Sequence, residues 1–168
     1  MPMSEYVREL RAKVGTTVLE VPSVSILIFD EAERVVLVRH VEGNDWTTPG
    51  GMIEPYELPA DAAVREAWEE TGLYVELTEL IGVFGGPICS GAYANGDKVA
   101  WVSTAFRAQR IRGTVTPDGE ETLEARYFSR EETRTLRCKP HVQMVLDAAY
   151  SRESKARFQP ATWEAPVG

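Results

Sequence analysis

Residues 51–73 read GMIEPYELPADAAVREAWEETGL, and this stretch decides the fold around it. A Pro-Gly-Gly run at 49–51 leads into it and interrupts regular structure, because glycine tolerates backbone angles that other residues resist. Pro59 suits the first turn of a helix, where its missing N–H is not needed. Good helix formers continue to Thr71, and Gly72 suits the position after a helix end. The sequence therefore predicts a loop, a helix and a stop.

Three carboxylates share one face of this predicted helix. At about 100° per residue, the side chains of Glu66, Glu69 and Glu70 project into one sector. Their charges repel one another and oppose the helix dipole near the helix C-terminus. A cation such as Mg²⁺ would relieve the repulsion, because it prefers oxygen ligands and binds through carboxylates and substrate phosphates. The alternative is a solvated acidic face, but the spacing of the surrounding glycine, proline and arginine residues favours metal binding.

Seven positions of the stretch also have the spacing of a known motif. The pattern resembles the Nudix box, G-x5-E-x7-R-E-U-x-E-E-x-G-U, in which U is an apolar residue. The matching residues are Gly51, Glu57, Arg65, Glu66, Glu69, Glu70 and Gly72. The resemblance implies an enzyme that hydrolyses a nucleoside diphosphate linked to another moiety. Ala67 is a mild departure, because a bulkier aliphatic residue is usual at that position.

The resemblance also implies a role for each matching residue. Glu66, Glu69 and Glu70 correspond to the ligands of Mg²⁺, or of Mn²⁺ as an alternative, and the carbonyl of Gly50 corresponds to a backbone ligand. Glu69 and Glu70 are in addition the expected catalytic residues of the box. The remaining matches are expected to hold the loop against the helix: Gly51, Glu57, Arg65 and Gly72.

A carboxylate outside the box often completes the site in this family, as a base or a further metal ligand. The candidates lie in the loop and strand after residue 119: Glu120, Glu121 and Glu124. Glu121 is favoured because it ends the loop just before a predicted strand, although a solvated loop charge is the alternative for each. His40 and His141 are further candidate bases, although a single histidine is more often a surface or helix residue.

Residues that bind the substrate are expected outside the box. Arg39 is a candidate for a phosphate contact, and Trp46 is a candidate for stacking on a ring. Pro87 lies fifteen residues after Gly72, near the place where family members that cleave ADP-ribose often carry a proline. It favours ADP-ribose or a nucleotide sugar, although the need to end a strand explains this proline equally well. Further aromatic candidates near the expected cleft are Tyr56, Phe84, Tyr93 and Trp101.

The remaining patterns predict an α/β fold with a central mixed sheet, and the resemblance implies the same Nudix-type α/β/α sandwich. Pro22 is expected to interrupt the first strand. Phe158 and Trp163 are expected to dock from the tail, and 41–48 to form a loop. The predicted helices cover 5–13, 59–71, 130–136 and a segment from 140. The predicted strands cover 18–21, 24–29, 35–39, 74–84, 98–109 and 123–128.

Length and composition fit a small single enzyme domain. The expected divisions are an N-terminal helix with a short strand at 1–19, a Nudix hydrolase domain at 20–150 and a tail at 151–168. The formal net charge is −8, which disfavours nucleic acid as a partner. Two widely spaced cysteines suggest free thiols in a reducing cytoplasm, and no apolar run suggests a signal or a membrane segment. The N-terminal helix and early strand are a candidate homodimer contact.

Three functions stay open at this point. The leading hypothesis is a Mg²⁺-dependent hydrolase of a nucleoside diphosphate derivative, a small molecule. A nucleotide-sensing Nudix domain without catalysis is the first alternative, which the intact box argues against. A hydrolase of RNA 5′ ends is the second, which the acidic charge balance argues against.

Overall fold

The computed structural model describes residues 4–41, 44–93, 95–151, 155–161 and 163. In these ranges the chain forms four helices, α1 (Glu5–Val14), α2 (Pro59–Thr71), α3 (Arg130–Thr135) and α4 (Pro140–Tyr150). The strands are β1 (Leu19–Phe29), β2 (Val35–His40), β3 (Trp46–Thr47), β4 (Tyr74–Phe84), β5 (Ser90–Ala92), β6 (Lys98–Arg112), β7 (Thr122–Phe128) and β8 (Arg157–Phe158).

All of these strands belong to one mixed sheet. Its main order is β3-β2-β1-β6-β4-β8, while β5 pairs with β6 and β7 pairs with β2. β1 and β6 run parallel along the whole of β1, from the pair Leu19 and Val99 to the pair Phe29 and Gln109. β2 is antiparallel to β1, and β4 is antiparallel to β6. The predicted mixed sheet is confirmed.

Helices cover both faces of the sheet. Side chains alternate between the two faces along each strand, so each face offers its own apolar residues to a helix. On one face, α2 packs through its small residues against apolar strand residues that include Ile26, Ile28 and Val36. On the other face, α4 packs against Leu27 and Leu37. Two separate apolar cores result, and the predicted α/β/α sandwich is confirmed. The small side chain of the alanine at the unusual box position is fully buried within the α2 core.

The helix predictions followed from local signals and are confirmed. α2 covers the predicted residues, and Gly72 ends it with a φ of 69° while its N–H donates to the carbonyl of Trp68 at 2.8 Å. The side chain of Ser4 caps α1 by accepting from the N–H of Val7. Ser129 caps α3 in a reciprocal capping box with Glu132.

The prediction that Pro22 interrupts the first strand is wrong, since β1 continues through it. The carbonyl of Pro22 accepts a hydrogen bond from the N–H of Ile53 at 3.1 Å. In a strand, the N and O atoms of one residue point to the same side. The nitrogen of Pro22 therefore faces the loop at Ile53 rather than β6, and its missing N–H removes no hydrogen bond from the pairing with β6.

Other differences concern short strands and the tail. β3 lies in the predicted loop at 41–48, of which residues 42 and 43 are outside the described ranges, and β5 was not predicted. Phe158 and Trp163 are each 78% exposed, so the expectation that they dock is wrong. The tail is instead attached through backbone pairing of β8 with Gly82 and Val83 of β4. Residues 152–154, 162 and 164–168 of the tail are outside the described ranges.

Candidate active site

Arg65 joins the glycine loop to the acidic face of α2. Its guanidinium donates two hydrogen bonds to the Glu57 carboxylate, from Nε at 2.8 Å and from Nη2 at 2.9 Å. Nη2 also donates to the carbonyl of Met52 at 3.2 Å. Nη1 donates to Oε1 of Glu66 at 2.8 Å and to Oε2 of Glu69 at 3.0 Å. One side chain therefore holds the loop and orients two of the three clustered carboxylates.

Glu57 and Arg65 form an ion pair. The side-chain hydrogen bonds from Arg65 lower the pKa of Glu57, and burial opposes that shift. Glu57 also accepts from the N–H of Glu54 at 2.9 Å, which fixes the turn before α2. The structure therefore places these two residues between loop and helix, where a bracing role requires them.

Glu66 is buried against the glycine loop. Its residue is 1% exposed, and a Cβ atom on Gly51 would lie 2.4 Å from its Oε1. Burial raises the pKa of Glu66 to about 7; the hydrogen bond from Arg65 opposes this rise, and the charge of Glu70 adds to it. Because Gly51 has no side chain, the Glu66 carboxylate can lie directly against the loop backbone.

Glu70, in the last turn of α2, contacts the glycine loop with one carboxylate oxygen and β2 with the other. Its Oε2 accepts a hydrogen bond from the N–H of Gly50 at 2.9 Å. Its Oε1 lies 2.9 Å from Nε2 of His40, at the end of β2. Although the two atoms are close, their geometry is not that of a hydrogen bond. His40 Nε2 has no hydrogen-bond partner among the described residues. The structure thus brings one candidate histidine into contact with the carboxylate cluster.

The glycine loop lies directly on β1. The N–H of Val24 donates to the carbonyl of Gly51 at 2.9 Å, and the N–H of Ile26 donates to that of Pro49 at 2.8 Å. Gly50 lies between these contacts with a φ of 151°. A Cβ atom there would lie 2.2 Å from the carbonyl oxygen of Val24. Only glycine fits this position, which aims the Gly50 N–H at α2.

A cleft of about 170 Å³ opens beside the carboxylate cluster. Gly50, Gly51 and His40 form the rim that the cleft shares with the cluster. Its floor includes the buried hydroxyls of Ser25 on β1 and Ser103 on β6, whose Oγ atoms are 2.9 Å apart. The cleft therefore adjoins the acidic face of α2 at one end and extends over the parallel strand pair.

The other walls of the cleft are aromatic and basic. Tyr93 and Trp101 line it from the β5–β6 hairpin, and Lys139 and His141 line it from the start of α4. The rings of Trp101 and His141 meet edge to face at 5.2 Å. Burial, and less strongly the charge of Lys139, lower the pKa of His141 to about 4. His141 is therefore neutral at pH 7, and Lys139 supplies positive charge at this end.

Among the candidate bases outside the box, Glu121 contacts the residue after His40 through its backbone. Its carbonyl accepts from the N–H of Val41 at 2.8 Å, and the next residue, Thr122, pairs with His40. The side chain of Asp118 accepts from the N–H groups of three successive residues, Glu120, Glu121 and Thr122. The loop that carries Glu121 is therefore ordered beside the end of β2.

The structure does not bring the predicted substrate residues to the cleft. Arg39 forms an ion pair with Glu124, its partner in the β2–β7 pairing. Trp46 is 8% exposed and packs edge to face on Phe128 in the α4 core. Pro87 lies in an exposed turn before β5. None of the three predicted residues belongs to the described lining of the cleft.

Of the other aromatic candidates, Tyr93 and Trp101 line the cleft, whereas Phe84 is in the core and Tyr56 is fully exposed. The serines and Lys139 were not predicted. The only sequence signal for the serines is polar residues at alternate positions in an otherwise apolar strand, as at Ser23 and Ser25. By this alternation, Ser23 and Ser25 lie on the same face of β1 as Leu27, in the part of the strand that lines the cleft.

The described residues contain no group of three His, Cys, Asp or Glu side chains arranged closely enough to hold a metal ion by themselves. Two of the three clustered glutamates of α2, Glu66 and Glu69, accept hydrogen bonds from Arg65 instead. No helix in the same ranges combines the length and the apolar character that crossing a membrane requires.

An α/β/α sandwich in which a glycine loop and a glutamate-rich helix meet beside a cleft defines one class of fold. A family model described as the NUDIX domain matches residues 19–147. The chain therefore belongs to the NUDIX family.

Individual relatives match over shorter stretches. A MutT-like protein of Streptomyces ambofaciens is 40% identical over 62 residues, which are 37% of this chain and 40% of that protein. A putative 8-oxo-dGTP diphosphatase of Bacillus subtilis is 37% identical over 62 residues, 37% of this chain and 42% of that protein. The matches thus span about two fifths of these relatives. Among solved structures, an ADP-ribose pyrophosphatase from Streptococcus suis superposes with a TM-score of 0.61 at 22% identity, over 82% of this chain and 96% of that one. This likeness shows the fold.

Proposed function

We propose that the chain hydrolyses a phosphoanhydride bond in a nucleoside diphosphate linked to another moiety, with a divalent metal ion. The observation that carries the proposal is the position of Glu70. Its side chain is only 6% exposed, accepts a hydrogen bond from the Gly50 N–H, and contacts His40, which lines the cleft together with Gly50. The catalytic unit would be residues 20–150.

Mg²⁺, or Mn²⁺, fits the donor chemistry of this site. Glu66, Glu69 and Glu70 offer carboxylate oxygens, the ligands that hard divalent cations prefer. The charge of Glu70 disfavours the ionised form of the buried Glu66, so a cation between them would stabilise both. The carbonyl of Gly50, which accepts none of the hydrogen bonds among the described residues, is the proposed backbone ligand. When bound, the metal would neutralise phosphate charge and lower the pKa of a water molecule.

The protein groups around the metal would position and accept protons. Glu69 and Glu70 are the proposed catalytic carboxylates of the box, and Glu121 is the proposed carboxylate from outside it. The Gly50 N–H and the His40 ring would fix the orientation of Glu70. Preorganised groups of this kind stabilise developing charge without having to move during the reaction.

The cleft is consistent with a nucleoside derivative of limited size. Tyr93 and Trp101 offer ring surface to a base or sugar, and the serine hydroxyls offer hydrogen bonds. Lys139 offers positive charge toward phosphate. At about 170 Å³, the cleft is smaller than a pocket for a typical drug-sized ligand, which is about 300–1,000 Å³, and suits one ring system. ADP-ribose and nucleotide sugars remain the first substrates to test, on the spacing of Pro87.

The test is a panel of nucleotide derivatives incubated with Mg²⁺ and scored for released phosphate and nucleoside monophosphate. We expect turnover of at least one nucleoside diphosphate derivative, and a loss of about 10³-fold or more with Glu70→Gln. Glu131→Gln, an exposed carboxylate change on α3, is the matched control and should keep full turnover. Full activity in Glu70→Gln would refute the proposal. Tight nucleotide binding without turnover in either metal would instead identify a sensing domain.

A further inference from the structure

Arg11 links the segment before the NUDIX match to the hairpin that contains β6. α1 ends shortly before residue 19, where the match begins. Nη1 of Arg11, in the last turn of α1, donates to the carbonyls of Gly15 at 3.1 Å and Thr17 at 2.7 Å. Nη2 donates to the carbonyl of Lys98 at 2.6 Å, and Nε lies 3.7 Å from Oδ2 of Asp97. The side chains of Arg11 and Asp97 are only 10% and 12% exposed.

Asp97 belongs to a turn that is closed by its own hydrogen bonds. The carbonyl of Asp97 accepts from the N–H of Tyr93 at 2.9 Å, and the carbonyl of Tyr93 accepts from the N–H of Gly96 at 2.9 Å. The side chain of Asn95 bonds both the N–H and the carboxylate of Asp97. The turn is therefore one small unit, and Arg11 holds this unit at Asp97 and at the residue that follows it.

This unit carries one wall of the cleft. Tyr93 directly follows β5, Val99 and Trp101 lie near the start of β6, and all three line the cleft. A movement of the turn relative to β1 would move the Tyr93 side chain across the cleft. The contacts of Arg11 run from α1 to Asp97 in the turn and to Lys98, the first residue of β6, so they resist that movement.

We infer that Arg11 is a positioning residue, which fixes the β5–β6 hairpin and so places Tyr93 against the substrate. The part that concerns substrate rests on the proposed function. The part that concerns the hairpin does not, because it depends only on the contacts of Arg11. If Arg11 served only to cap the end of α1, it would bond only carbonyls of its own segment. Arg11 also contacts Asp97 and Lys98, which are more than eighty residues away in the chain.

Amide hydrogen exchange of the full chain tests the hairpin part without any ligand. In Arg11→Gln, we expect the amides of Tyr93 and Gly96 to exchange about tenfold faster or more, because the local opening of the turn becomes easier. Lys13→Gln removes an exposed charge from the same turn of α1 and should leave both amides unchanged. Unchanged protection in Arg11→Gln would overturn the inference. Should Arg11→Gln not fold, Arg11→Lys, which keeps the charge but loses the fork, gives the same comparison, and unchanged protection in that variant would overturn the inference.

Steady-state kinetics tests the substrate part on whichever nucleotide the wild type cleaves. We expect Arg11→Gln to raise KM about tenfold while kcat changes less than about twofold, since the residue acts on binding and not on the reacting bond. Added to Tyr93→Ala, Arg11→Gln should have little further effect, because both changes remove the same contact. Additive effects, or a fall in kcat alone, would overturn this part. A wild type without turnover would count against the proposed function, and the exchange result would still decide the role of Arg11 in the hairpin.

Discussion

Nε2 of His40 lies 2.9 Å from Oε1 of Glu70, at the point where the cleft meets the acidic face of α2. His40 is the last residue of β2, and Glu70 is in the last turn of α2, so the contact joins the sheet to the helix. The opposite oxygen of Glu70 is held by the N–H of Gly50. The carboxylate therefore accepts a hydrogen bond from a loop on one side and contacts the end of a strand on the other.

Replacing His40 should impair turnover more than stability. We expect His40→Leu to lower kcat about 10- to 100-fold, because loss of a group that orients a metal-binding carboxylate has effects of that size. His40→Gln, which keeps a polar group near Glu70, should lose less. The measurements are kcat, KM and the melting temperature of both variants. A His40→Leu protein with wild-type kcat would show that the contact has no role in positioning Glu70.

Gly50 should tolerate no side chain, whereas another glycine with positive φ should. Gly50→Ala would place a Cβ atom 2.2 Å from the Val24 carbonyl oxygen, so we expect a loss of about 3 kcal/mol in the free energy of unfolding and little remaining turnover. Gly86→Ala is the matched control, because Gly86 has a φ of 79° but open space around it. Gly86→Ala should lower the free energy of unfolding by about 1 kcal/mol. Denaturant unfolding separates the two, and equal losses would contradict the steric argument.

The buried hydroxyl pair on the cleft floor should behave as a coupled unit. Ser103→Ala leaves the Ser25 hydroxyl buried without its partner at 2.9 Å, which should destabilise the protein by about 1–2 kcal/mol. Replacing both serines with alanine should destabilise it no more than either single change, since no unpaired hydroxyl remains. Unfolding free energies of the three variants form a double-mutant cycle. Strictly additive losses would show that the two hydroxyls do not depend on each other.

His141 should make the fold less stable as the pH falls below the ordinary histidine range. Its pKa is lowered from 6.5 to about 4, so the unfolded chain binds a proton that the folded chain excludes. The contribution of neutral His141 to the free energy of unfolding is fully present above pH 6.5. It is lost progressively as the pH falls toward 4, by about 3 kcal/mol in total. His141→Gln should remove this component. Unfolding measured from pH 7 to 4 on both proteins checks it, and parallel curves would contradict it.

The helix of the box was predictable because its signals are local. Pro59 and Gly72 mark its ends by their own backbone preferences, and the helical period alone places the three glutamates together. Pro22 misled the prediction, because its effect on a strand depends on which neighbour lies on its nitrogen side. That neighbour, the loop at Ile53, is known only from the fold. Local chemistry thus predicted this helix, while the extent of the first strand depended on tertiary packing.

The cleft was only partly predictable for the same reason. Tyr93 and Trp101 were among the aromatic candidates, and they line the cleft because β5 and β6 form its wall. Trp46 was also a candidate, but pairing of β3 with β2 turns its ring into the α4 core. Ser25 and Ser103 are 78 residues apart in sequence, and only the parallel pairing of β1 with β6 brings them together. No spacing rule along the chain predicts such a meeting.

That parallel pairing also sets an order of assembly. The β1–β2 hairpin and the loop-and-helix unit of the box are built from neighbouring segments, so they can form while later parts of the chain are still being synthesised. The floor of the cleft cannot, because β1 acquires its parallel partner β6 only when the segment from Lys98 onward is available. Contacts between distant segments form slowly, since the intervening chain must first be closed into a loop. We therefore expect the acidic helix to be in place before the cleft beside it exists, so that substrate binding matures last.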